Sequence, residues 1–170
     1  IFADFPAYVQ MMRRDNLRGI NICTGGTDPE MVKLQQQTAE RIQAAYPDTF
    51  AFASTFDLTA RDQADYAART DEWMTSCVES GALMIKMWKD VGMEIKDQDG
   101  NFIMPDDALF NSIYRRIGEL GQPLITHFAE PIAAWRQLDP DNPHYGYYSK
   151  HPEWHFYKKE GVPSWEQIIA

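Results

Sequence analysis

LMIKMW (83–88) and PLITH (123–127) decide how this chain is read. Each is a short, nearly unbroken apolar run, the pattern of a strand covered on both faces, and each carries one residue that apolar cover does not suit, Lys86 or His127. Two runs of the same kind precede them, LRGINIC (17–23) and TFAFASTF (49–56), so strand starts fall at 17, 49, 83 and 123, spaced by 32, 34 and 40 residues. Helical patterns fill the intervals. TDPEMVKLQQQTAERIQAAY (27–46) sets Thr27 and Glu30 in capping-box spacing with Pro29 in the first turn, and predicts an inward stripe of Met31, Leu34, Thr38, Ile42 and Ala45. A second helix is expected over 62–80, with Tyr66, Thr70, Trp73, Met74, Cys77 and Val78 on one stripe, and a third over 107–120 with Leu109, Ile113, Ile117 and Leu120 inward. Gly81 and Gly121 supply their stops. A helix carrying Phe5, Tyr8, Val9 and Met12 comes before the first strand.

Strands alternating with helices call for βαβ units, because a parallel neighbour can be reached only by a crossover. The observed interval is close to the roughly 31 residues per unit of a (β/α)₈ TIM barrel of about 250 residues. The fold class expected is therefore α/β, a TIM-barrel-like sheet of which 1–170 form part of a single domain, about strands two to five. A doubly wound open parallel sheet is the alternative built from the same units. An ankyrin array shares the period, but its T-P-L-H signature is absent. Two insertions break the rhythm. At 92–105, MEIK and NFIM flank a turn with Asp99 and Gly100, a hairpin signal expected to fold over the strand ends. At 128–163 lies a long aperiodic loop rich in Trp and Tyr and holding three of the four histidines, expected to act as a structured lid.

The chain has 170 residues with 16 basic and 25 acidic side chains, a net charge of −9, which disfavours nucleic acid and anionic membrane as partners. No apolar run approaches the ~18 residues of a membrane span. Cys23 and Cys77 lack C-x-x-C spacing and read as reduced, buried thiols. No secretory signal precedes the fold within these residues, so a cytoplasmic location is expected. The partner expected is a small-molecule substrate, with a homo-oligomer compatible with the aromatic loop.

Lys86 is the first chemical anomaly, since an ammonium among apolar neighbours carries a desolvation cost of several kcal/mol. Pairing with a carboxylate at the strand end is one resolution. The other is an amine of lowered pKa, acting as nucleophile or converted by carbon dioxide to a carbamate that can bridge two metals. His127 ends the next strand, on the side of an α/β sheet where sites are built.

GALMIKMWKDVGMEIKDQDGNFIMPDD, PLITHFAEP and HPEWHFYKKEGVPSWEQIIA together resemble the central part of the amidohydrolase-related (amidohydrolase family 2) metal-dependent hydrolases of the amidohydrolase superfamily, from about residue 50 onward. The resemblance implies a distorted TIM barrel holding one or two divalent ions, zinc first among them, that activate water against a C–N or C–O bond of a small molecule; some relatives decarboxylate instead. It implies that Lys86, carbamylated in binuclear members, and His127 are metal ligands. The long loop is expected to cover the metal, with Trp135, Tyr148 or Trp154 shaping the substrate pocket, and Glu130, just beyond His127, to orient that ligand, touch substrate or lie at the surface. The family's His-x-His pair has no counterpart, because His127 is the first histidine of the chain, and the general acid/base aspartate would fall beyond Ala170. These residues are thus expected to be a partial chain, inactive alone. A non-catalytic binding module is the reading from another class, and a flavodoxin-like nucleotide or flavin binder the third.

Other motifs have plainer readings. Lys89 is expected to be solvated at the strand exit, and His144 to be a loop residue. HPEWH (151–155) has Pro152 where a zinc-protease helix needs Glu. Asp57 reads as a strand-end or second-layer residue. CTGGTDP lacks the glycine spacing and lysine of a phosphate loop, and KDQDGN lacks the first Asp of a calcium loop, where Ile95 stands.

Overall fold

The computed structural model describes residues 5–24 and 26–169. Gly25 of the CTGGTDP turn and the terminal Ala170 lie outside them. The elements run α1 (Phe5–Arg14), β1 (Gly19–Ile22), α2 (Pro29–Ala45), β2 (Phe50–Thr55), α3 (Tyr66–Glu79), β3 (Met84–Met87), α4 (Asp90–Met93), α5 (Asn111–Glu119), β4 (Leu124–Thr126), α6 (Tyr145–Tyr148) and α7 (Trp165–Ile169), with single 3₁₀ turns at Ala108–Phe110, Ile132–Trp135 and Pro152–Trp154. All four expected strands are present, in the order β1-β2-β3-β4. The β1–β2 and β2–β3 pairs are parallel, with Asn21 opposite Phe52 and Thr55 opposite Lys86. No helix among the described residues is long and apolar enough to cross a membrane.

The chain divides into two compact units, one reaching Met87 and adding Ala108–Ile125, the other joining Trp88–Asp107 to the residues from Thr126 onward. In the first unit, strand alternation sorts the side chains. Val9 and Met12 of α1 pack on Phe50, while Ala39 of α2 and Cys77 of α3 pack with Cys23 and Phe52. Phe50, Phe52 and their register partners share one sheet face, so α1, α2 and α3 all cover that same face. A doubly wound sheet carries helices on both faces; the helices of this unit are layered on one. Fully burying a side chain such as Phe52 contributes roughly 1.5–3 kcal/mol.

Two details of α2 differ from the sequence reading. Asp28, not Thr27, caps the helix, its Oδ1 accepting from the Glu30 and Met31 amides at 3.1 Å each. One step along the chain changes which hydroxyl or carboxylate reaches the free N–H groups, and a carboxylate also complements the helix dipole. The buried positions are Val32, Gln36 and Ala39, whereas Met31 and Leu34 of the expected inward stripe are 42% and 51% exposed. Elsewhere the stripes stand: Tyr66, Thr70, Met74 and Cys77 of α3 and Ile113 and Ile117 of α5 are buried. Gly81 and Gly121 take positive φ beyond their helices, as a left-handed stop requires. Cys23 and Cys77 are free and buried, and burial pushes their thiols up to about 12 and about 11.

The second unit contains both insertions. Its hairpin is a single antiparallel bridge, Lys96 with Phe102, anchored where the Gly92 amide donates to Ile103 O at 2.8 Å. Gly92 has φ +89°, inside the kink of α4, and a side chain there would be strained. The aperiodic loop folds around its own core of Met93, Ala133, Ala134, Tyr148, Phe156 and Ile168. Asn142 stitches it by donating from Nδ2 to Ala133 O and Gln137 O at 2.9 and 3.0 Å. The loop looked structureless in sequence because one-turn helices are too short to show a period of 3.6 residues.

Candidate functional site

Lys86 is the third residue of β3, opposite Thr55, whose Oγ1 donates to the Lys86 carbonyl at 2.9 Å. Alternation from Phe52 places Thr55 and Lys86 on the sheet face away from α1, α2 and α3. Lys86 is only 4% exposed, and burial lowers its ammonium pKa from the ordinary 10.5. A lowered pKa enlarges the neutral-amine fraction, the form that attacks carbon dioxide or an electrophile. It also has a thermodynamic sign. The unfolded chain binds more protons between the lowered pKa and 10.5, so stability rises with pH across that window. We expect denaturation midpoints to show this alkaline rise in the wild type and to lose that part of it in Lys86→Met.

In the second unit, three chain segments meet at Lys89. It is 7% exposed, not solvated, because Nζ forms an ion pair with the Glu130 carboxylate and lies 4.2 Å from the centre of the Trp154 ring. The Trp88 ring lies 5.8 Å from the same nitrogen and meets His127 edge-on at 4.9 Å and 83°. Burial lowers the Lys89 pKa, opposed by the charges of Glu94 and Asp90. Asp90 is buried and its Oδ1 has no hydrogen-bond partner among the described residues; burial raises its carboxyl pKa, with Glu94 adding to the rise and Lys89 opposing it. This polar knot of Lys89, Asp90 and Glu130 was missed as a unit from sequence. Its signal was the acid three residues after His127, which needs a counter-ion if the loop is folded.

The remaining candidates separate by burial. Tyr148 is 1% exposed and belongs to the core of its unit. Trp135 packs on that core and donates from Nε1 to Pro163 O at 3.0 Å, with Phe156 and Trp165 against its ring. Glu130 and Trp154 converge on Lys89, whereas Tyr148 and Trp135 do not. His144 and His155 lie against Tyr148, while His151 stacks on Tyr147 and pairs with Glu153 at 3.2 Å. Asp57 turns its own backbone, Oδ1 accepting from the Thr59 amide and hydroxyl.

Among the described residues, no group of three or more His, Cys, Asp or Glu side chains could hold a metal ion. A metal centre takes three or four protein ligands. Lys86 and His127 therefore do not complete one by themselves.

No family model matches the chain, and no curated protein matches it. Among solved structures it is similar to 4-oxalomesaconate hydratase LigJ from Rhodopseudomonas palustris, with 16% identity and a TM-score of 0.47 over 73% of this chain. The chain spans 37% of that protein's length.

Proposed function

We propose that this chain carries part of a metal-dependent enzyme of amidohydrolase type, acting with water on a C–N or C–O bond of a small molecule, with decarboxylation as the related chemistry. The observation that carries the reading is the buried amine of Lys86, of lowered pKa, on the sheet face that α1, α2 and α3 leave clear. A parallel sheet in sequential strand order with its helices layered on one face supports a (β/α)₈ arrangement. Lys86 and His127 are proposed as two ligands of a divalent ion, zinc by preference, which would supply Lewis-acid activation of water. Glu130 and Trp154 are proposed to border the substrate through Lys89, with Tyr148 and Trp135 holding the loop that carries them. Among the described residues the donors do not complete a ligand set, so the remaining ligands and the general acid/base are proposed to come from outside them.

Elemental analysis of the purified full-length protein, of which these residues are proposed to be part, tests this. A bound divalent ion is expected in the wild type and is lost in both Lys86→Ala and His127→Ala. Full occupancy in both variants would sink the assignment. A non-catalytic binding module is the second reading, favoured by the uncharged groove beside β1, and it expects no metal in any variant.

A further inference from the structure

The hairpin of the second unit closes through Asp97, Gln98, Asp99, Gly100 and Asn101, all of them exposed. The Asp97 amide donates to Asn101 O at 2.8 Å and the Gly100 amide to Asp97 O at 3.2 Å. Gly100 takes φ +86°, the left-handed position that ends a three-residue hairpin loop. Asp97 commits both carboxylate oxygens to this turn. Its Oδ1 accepts from the Asp99 and Asn101 amides at 3.0 and 2.8 Å, and its Oδ2 from Asn101 Nδ2 at 3.2 Å. The Asp99 carboxylate commits neither: no hydrogen bond or ion pair engages it among the described residues. A side chain built on Gly100 would meet nothing within 4 Å. Asp99-Gly100 is also the only Asp-Gly or Asn-Gly step in the sequence.

We propose that Asp99 is a site of spontaneous covalent modification, at which the folded protein converts aspartate to isoaspartate. The Gly100 nitrogen attacks Cγ of the protonated Asp99 carboxyl. The N–Cγ bond forms, the Cγ–OH bond breaks, and the amide proton leaves with that hydroxyl as water, giving a cyclic succinimide. Water then opens the ring. Attack at the main-chain carbonyl frees it as a carboxylate and leaves the chain running through Cβ and Cγ, so the mass is unchanged and the backbone gains one atom. Three features select Asp99 among the aspartates. Glycine puts no side chain in the path of attack, and the space around Gly100 is open. The carboxyl is uncommitted, whereas that of Asp97 in the same turn would first have to leave three donors. The attacking nitrogen is held by one bond to Asp97 O, above a ladder of a single bridge between Lys96 and Phe102, where local opening needs little free energy. The added backbone atom does not fit the bonds between Asp97 and Asn101, so the modified turn opens.

Ageing the purified full-length protein in warm, mildly acidic buffer, folded and in guanidinium chloride, tests this independently of any metal. Peptide mapping, with an L-isoaspartyl O-methyltransferase and a labelled methyl donor as the probe, locates the product. The folded protein is expected to form isoaspartate at Asp99 within about tenfold of the denatured rate, and at least tenfold faster than at Asp97. Asp99→Glu, which would have to close a larger ring, is expected to abolish the signal at this position. In the aged protein the Asn101 amide is expected to exchange faster, while the strand amides of Phe52 and Ile85 stay slow. A folded rate more than tenfold below the denatured one would overturn the proposal, as would equal modification at Asp97. Asn101 exchange indifferent to the modification would overturn the opening of the turn.

Discussion

Replacing Lys89 by Met lowers the stability of its unit by about 3 kcal/mol or more, because the Glu130 carboxylate is left charged in a place that is mostly dry. The side chains of Lys89 and Glu130 are 9% and 16% exposed, well outside the regime in which surface pairs contribute at most about 1 kcal/mol. The same reasoning gives the double variant the opposite character. Lys89→Met with Glu130→Leu removes both desolvation costs and is expected to recover most of the loss. Denaturation followed by tryptophan fluorescence reads both, since Trp154 sits directly against the ammonium. A Lys89→Met cost below about 1 kcal/mol would place the pair in water and remove the reason for calling the three segments joined.

Tyr148→Ala is expected to cost about 3–5 kcal/mol, the range for emptying a large aromatic site. Its ring fills the centre of the loop's core, against Ala134 and Phe156, with the His144 and His155 rings at 5.8 and 5.6 Å. Tyr148→Phe keeps the ring and is expected to change stability by less than about 0.5 kcal/mol. The comparison separates two roles that a single variant confuses. A packing residue tolerates Phe in activity as well as in folding, whereas a residue bonded to substrate through its hydroxyl loses activity in Phe without losing stability. Thermal or urea midpoints of the two variants test the packing role: a large loss in Tyr148→Ala with little change in Tyr148→Phe is expected, and equal losses in both would overturn it.

What sequence could reveal here depended on length. Four strands and four of the helices were legible because each run was long enough to show its period, and Gly81 and Gly121 marked helix ends by their need for positive φ. The side of α2 that would be covered was not legible. An apolar stripe states that something apolar packs on it, not what, and in α2 Val32 and Ala39 are buried while Met31 and Leu34 face the groove. For the site, Lys86 stood out because an ammonium in an apolar strand is costly wherever it lies. Lys89 did not, since after Trp88 it looked like the first polar residue of a loop. Only the folding of the later loop, bringing Glu130 and Trp154 to it from about forty and sixty-five residues further on, made it a buried cation.

The partition of the chain has a consequence for its birth. Neither unit is a continuous stretch: the first lacks α5 and β4 until Ile125 has been made, and the hairpin residues from Trp88 to Asp107 belong with a loop that starts at Thr126. Emerging from a ribosome at about 5–20 residues per second, the first three strands wait several seconds for their last helix, and the hairpin waits for the loop core. During that interval the apolar faces of β2 and β3 have only part of their cover. The order of synthesis thus leaves the first unit without α5, and the hairpin without its loop core, until those later residues are made.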